Sequence, residues 1–122
     1  MIDAAAFKNL RLHGGFTIVD VEFAGAPMVD ALNREALAQT RINGYRFYIR
    51  LQVGMSEREI SISLYHEVLE AATVASLRPP DSVIEFNEGD FERVAKAAHA
   101  EYGLATPANL NRLLQSYGFL GD

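Results

Sequence analysis

The sequence predicts an α+β domain, on three observations. Two segments of alternating β-branched and aromatic residues lie in the first half, Phe16 to Phe23 and Tyr45 to Val53. Segments with helical start and stop signals follow in the second half, and strands followed by helices are the pattern of an α+β chain. The chain has 122 residues, 49% of them apolar, enough for one core and a single domain over 1–122. Two or three strands packed against a central helix, with further helices after it, is the expected architecture.

Phe16 to Phe23, bounded by Gly14-Gly15 before and by Gly25 and Pro27 after, reads as a strand with one wet face. From Pro27 to about Gln39, the residues Met28, Val29, Ala31, Leu32, Ala36, Leu37 and Ala38 suit a short helix opening near a proline. Asn43-Gly44 signals a turn, and Tyr45 to Val53 is the clearest strand, with Arg46, Tyr48, Arg50 and Gln52 on its outward side. Gly54 ends it. Ser56-Glu57-Arg58-Glu59 is then a capping box, in which the serine accepts from an orphan amide and the glutamate three residues on reaches back. The helix it opens runs to about Ser76, before Arg78-Pro79-Pro80, and is apolar on so many sides that it belongs at the centre. Ser82 to Phe86 reads as a short strand or an extended link. A helix starting near Asn87 or Asp90 and stopping at Gly103 places Phe91, Val94, Ala95, Ala98 and Tyr102 along one side. The last helix has Thr106 as N-cap, Pro107 at its first position, a stripe of Leu110, Leu113, Leu114 and Tyr117, and Gly118 as its stop.

Eleven Lys and Arg against sixteen Asp and Glu leave a net charge of −5, so there is no basic excess to neutralise a nucleic-acid backbone. No stretch approaches the roughly 18 apolar residues of a membrane helix. Met1-Ile2-Asp3 lacks the basic and apolar regions of an export signal, so a soluble cytoplasmic protein with no membrane partner is expected. With no cysteine there are no disulfides, thiolate metal sites or cysteine nucleophiles. Any metal must be held by the three histidines and the carboxylates. The acidity is uneven: six bases and five acids in residues 1–50 balance to +1, whereas five bases and eleven acids in residues 51–122 balance to −6. Solvated helix faces are the ordinary reading of such a cluster, and carboxylates whose repulsion a bound cation relieves are the sharper one.

Within the central helix stands Tyr65-His66-Glu67-Val68-Leu69-Glu70. His66 and Glu70, four positions apart, stack on one side of the helix one turn apart, so two ligand types converge. Glu67 is rotated from them toward the apolar stripe of Ile60, Leu64, Ala71 and Val74, where a carboxylate is costly unless paired or ligated. Zinc hydrolases use this geometry: side chains at i and i+4 hold the ion, and the carboxylate at i+1 takes a proton from the water on it.

The stretch Ile62-Ser63-Leu64-Tyr65-His66-Glu67-Val68-Leu69-Glu70-Ala71 resembles the active-site helix of the small zincin-like metallopeptidases, whose pattern is an apolar pair, HExxH and a small residue. His66-Glu67 matches the first half of the motif, and Glu70 stands where the second histidine would be. The likeness covers about ten residues in letters and residues 45 to 102 in order of elements. It implies a small zincin-like fold, a peptide or protein substrate, Glu67 as the catalytic base, and His66 and Glu70 as metal ligands. It further implies a third ligand from the later helix, which places Glu92 in that role. His99, seven residues on and nearly on the same side, is the rival on ligand chemistry, and Glu88 serves if the helix starts early. Zn²⁺ is the expected ion, but a glutamate in place of a histidine makes the site oxygen-rich and brings Mn²⁺ or Fe²⁺ into competition.

The alternative is a non-catalytic interaction or regulatory domain on the same scaffold. In it His66 is a satisfied core histidine, and Glu67 and Glu70 pair with Arg58, Lys96 or another base. His13 reads as a loop residue, Gly14-Gly15 lacks the Lys-Ser of a phosphate loop, and Ser61 and Ser63 lack the sharp turn of a serine nucleophile. Arg46, Tyr48 and Arg50 either line a peptide groove, since an extended peptide can dock as an added strand, or form a solvated strand face.

Overall fold

The computed structural model describes residues 2–25, 28–29 and 35–119. After a short 3-10 turn at Ala4–Phe7 come β1 (Leu10–Arg11), β2 (Thr17–Ala24), β3 (Met28–Val29), β4 (Glu35–Ala36), β5 (Ala38–Asn43) and β6 (Arg46–Gln52). Helices α1 (Glu57–Ala75), α2 (Glu88–Tyr102) and α3 (Pro107–Ser116) follow. The fold is α+β. Four strands form one sheet in the order β1-β2-β6-β5, in which β2 and β6 are parallel and both outer pairs antiparallel, and β3 pairs with β4 separately.

Alternation along β6 follows the sequence: Phe47, Ile49 and Leu51 are buried, while Arg46 and Arg50 are exposed. The buried side carries α1, whose Leu64, Tyr65, Val68 and Leu69 lose all contact with solvent. Ser56 and Glu59 form the capping box that opens α1, as their spacing predicts. Asn87 and Asp90 form a second box at α2, Thr106 caps α3, and Pro107 opens it. Among the described residues no helix is long and apolar enough to cross a membrane.

Two expectations need correction. The helix expected from Pro27 to Gln39 is not formed where the chain is described: Met28–Val29, Glu35–Ala36 and the start of β5 are strand, while 26–27 and 30–34 lie outside the described residues. Pairing with β6 overrides the weak helical spacing, because Ala38, Thr40 and Ile42 take the face of Leu51, Ile49 and Phe47. The two-residue loop Gly44-Tyr45 joins β5 to β6, with Gly44 at the positive φ of 62° that such a tight hairpin needs. Residues 82–86 are neither strand nor extended link but consecutive turns, in which the amides of Val83 and Ile84 donate to the Pro80 carbonyl and that of Phe86 to Val83.

Candidate metal centre

The buried stripe of α1 faces the sheet and the other helices, which turns Ser63, His66, Glu67, Glu70 and Ala71 toward a cleft of about 1210 Å³. Edge strand β5 lines the cleft with Ala38, Thr40 and Ile42, and α2 lines it with Glu88 and Glu92. The box at Asn87 sets where α2 starts, so these two glutamates occupy its first turns, one turn apart. Packing of α2 on α1 brings them against His66.

The imidazole of His66, 12% exposed, is gripped on both sides. Its Nδ1 lies 2.9 Å from Glu92 Oε1. Its Nε2 lies 3.1 Å from Glu88 Oε2 and 3.8 Å from Glu70 Oε2, yet this atom is shut off from solvent and in hydrogen-bonding geometry with neither. Phe91, between the two glutamates in sequence, sets its ring 6.1 Å from the imidazole. Ligand-type atoms of His66, Glu67 and Glu70 all lie within 4.8 Å of one another. Glu67 accepts a hydrogen bond at its Oε1 from Thr40 Oγ1 at 2.8 Å.

The titration of these groups reflects their crowding. Burial alone would lower the His66 pKa. The carboxylates of Glu70 and Glu92 against the ring, with the charges of Glu67 and Glu70, override it and hold the imidazole at about 9. Burial pushes the Glu67 carboxyl up, only partly offset by the Thr40 bond and the His66 charge. Burial would also raise Glu70, but the His66 ring and the Glu88 carboxyl facing it bring it below the usual carboxylate range. Glu88 rises to about 7, chiefly through its hydrogen bond with Glu70 and then through burial and the Glu70 charge.

The structure brings His66, Glu67 and Glu70 together as their spacing predicts. Glu88 joins them on the Nε2 side. Glu92 takes the opposite ring nitrogen, and its second oxygen lies 3.8 Å from Lys96. His99 is not part of the group: its Nδ1 lies 2.8 Å from Ser61 Oγ, which also accepts from the Ala105 amide. Ser61, fully buried, is a tie between helices. Tyr48 and Arg50 lie on the face of the sheet away from α1, with Arg50 bound to Glu22 at 2.8 Å and Arg41 stacked 4.1 Å over Tyr48. Sequence reasoning missed Thr40, which is 27 residues from Glu67 and lies just past the segment expected to be helical.

Fold and site together describe an α+β domain with a His/Glu/Glu group on a central helix beside an edge strand. No known protein family, curated protein or solved structure matches the chain.

Proposed function

We propose that this chain is a small metal-dependent hydrolase, zincin-like in its motif helix, that cleaves an amide bond in a peptide or protein. The observation that carries the proposal is the buried Nε2 of His66, which makes no hydrogen bond and is surrounded by the carboxylates of Glu67, Glu70 and Glu88. That donor set fits a divalent cation: one imidazole nitrogen and carboxylate oxygens, with the other ring nitrogen engaged by Glu92 in the way that orients a ligating histidine. His66, Glu70 and Glu88 would hold the ion. When bound, Zn²⁺ supplies Lewis acidity, polarising a carbonyl and acidifying water. Mn²⁺ and Fe²⁺ suit the oxygen-rich set as well.

Glu67 is the base in this proposal. Burial raises its proton affinity, as suits a base, and one of its oxygens is already occupied by Thr40. The edge strand supplies a docking line, because residues of β5 that alternate with its β6-bonded positions direct their backbone groups away from the sheet. The proposal takes the cytoplasm as its setting, which suits a chain with no disulfide to reduce. Metal analysis after exposure to zinc, manganese and iron tests it. About one equivalent per chain is expected, and less than about a tenth of an equivalent would overturn it, since ligand binding to a built site is saturable and stoichiometric.

One observation favours the alternative of a non-catalytic domain. Held protonated by its neighbours, His66 already neutralises part of the carboxylate charge without an ion. That reading expects chelator to leave Tm unmoved in protein as isolated, whereas a resident ion stabilises by linkage and chelation lowers Tm.

A further inference from the structure

Glu67 stands close enough to the proposed ligands to become one of them. Its ligand-type oxygen lies within 4.8 Å of those of His66 and Glu70, and a glutamate side chain has the rotamer freedom to swing onto a cation. A carboxylate that binds the ion is no longer free to take a proton. Something must therefore hold Glu67 aside if it is to serve as a base, and the only partner the structure gives its carboxylate oxygens by hydrogen bond, among the described residues, is Thr40.

Thr40 is well suited to that task because its own position is set elsewhere. It lies on β5 opposite Ile49, a buried residue at the heart of the sheet, and its β-branched side chain has few rotamers. The hydroxyl is thus placed by the sheet, whereas Glu67 is placed by α1, and the 2.8 Å bond ties one to the other across the cleft. A hydroxyl has one proton to donate, so it engages Oε1 and leaves the second oxygen of Glu67 free.

We propose that Thr40 is a positioning residue that keeps Glu67 off the metal, so that this glutamate acts as base and not as an additional ligand. The inference rests on the metal reading of the site and concerns the division of labour within it. Zinc alone is the probe, titrated by calorimetry into metal-free full-length protein. Thr40→Val, which keeps the shape and removes the hydroxyl, is expected to bind zinc about tenfold more tightly than wild type, a gain of about 1.4 kcal/mol from the freed carboxylate. Thr40→Ser, which restores the hydroxyl, is expected to bind as wild type does, and Thr40→Val with Glu67→Gln is expected to lose the gain. A side chain that merely supports packing would weaken zinc binding when altered, so affinity equal to or below wild type in Thr40→Val overturns the proposal. So does a gain that persists with Glu67→Gln. Thr40→Ala repeats the measurement should the valine variant not fold. Wild type that takes up no zinc overturns the metal reading itself and this inference with it.

Discussion

The two nitrogens of His66 face different carboxylates, and that asymmetry separates the glutamates of α2. Glu92 on Nδ1 orients the ring, so Glu92→Gln, which keeps a hydrogen-bonding group but drops the charge, should weaken zinc binding about 10–100-fold without abolishing it, as calorimetry would show. His66→Ala should abolish binding. Glu67→Gln should retain the ion and lower the hydrolysis rate of a susceptible peptide by about 10²–10⁴-fold, the usual contribution of a general base. Unchanged hydrolysis would remove Glu67 from that role. The His66/Glu70 pair and the place of Glu67 beside it are legible in the sequence, because helical periodicity is local. The choice between Glu88 and Glu92 is not, since both lie on one side of one helix and only its packing on α1 decides which ring nitrogen each meets.

Elements show the same division. The capping box at Ser56 and the Thr106-Pro107 start are written in adjacent residues and form as expected, and the Asn87–Asp90 box selects Asn87 from the two starts that the sequence leaves open for α2. Ser56→Ala should cost about 1 kcal/mol in a denaturant titration, the usual value of an N-cap. Ser61→Ala tests a tie that no motif announces. It removes the acceptor of the Ala105 amide and the partner of His99, and should cost about 1–3 kcal/mol while leaving zinc affinity unchanged. Strand β5 is the element that local sequence misstates. Its first residues, Ala38 and Gln39, fall in the segment that reads as a short helix, and its identity depends on β6, which offers Phe47, Ile49 and Leu51 as same-face partners to Ala38, Thr40 and Ile42. The alternation from Gln39 to Asn43 leading into the Gly44 turn is the signal that could have revealed it.

Across the whole molecule the charge is lopsided, and four of the eleven acids of the second half, Glu67, Glu70, Glu88 and Glu92, line the cleft. Three of its groups are raised, Glu67, Glu88 and His66, and the last two set the pH windows. Glu88 is held at about 7 against an ordinary 4.5, and His66 at about 9 against 6.5. Both bind more protons folded than unfolded, so the metal-free protein is favoured at low pH and loses that contribution as pH rises through about 7 and then about 9. Zinc must displace those same protons, so its stabilisation should grow with pH. Melting curves from pH 5 to 9, with and without zinc, check both slopes. A zinc-induced shift in Tm that shrinks as pH rises would contradict them.

By itself the sequence determined the class, the central helix with its His66, Glu67 and Glu70, the caps and the surplus of acid, because all of these depend on residues within a few turns of one another. Tertiary structure alone decided that β5 is an edge strand, that Thr40 reaches Glu67 across 27 residues, and that Glu88 and Glu92 divide between the nitrogens of His66. These depend on strand register and helix packing, which are settled by burial of the shared core and not by any local run of residues.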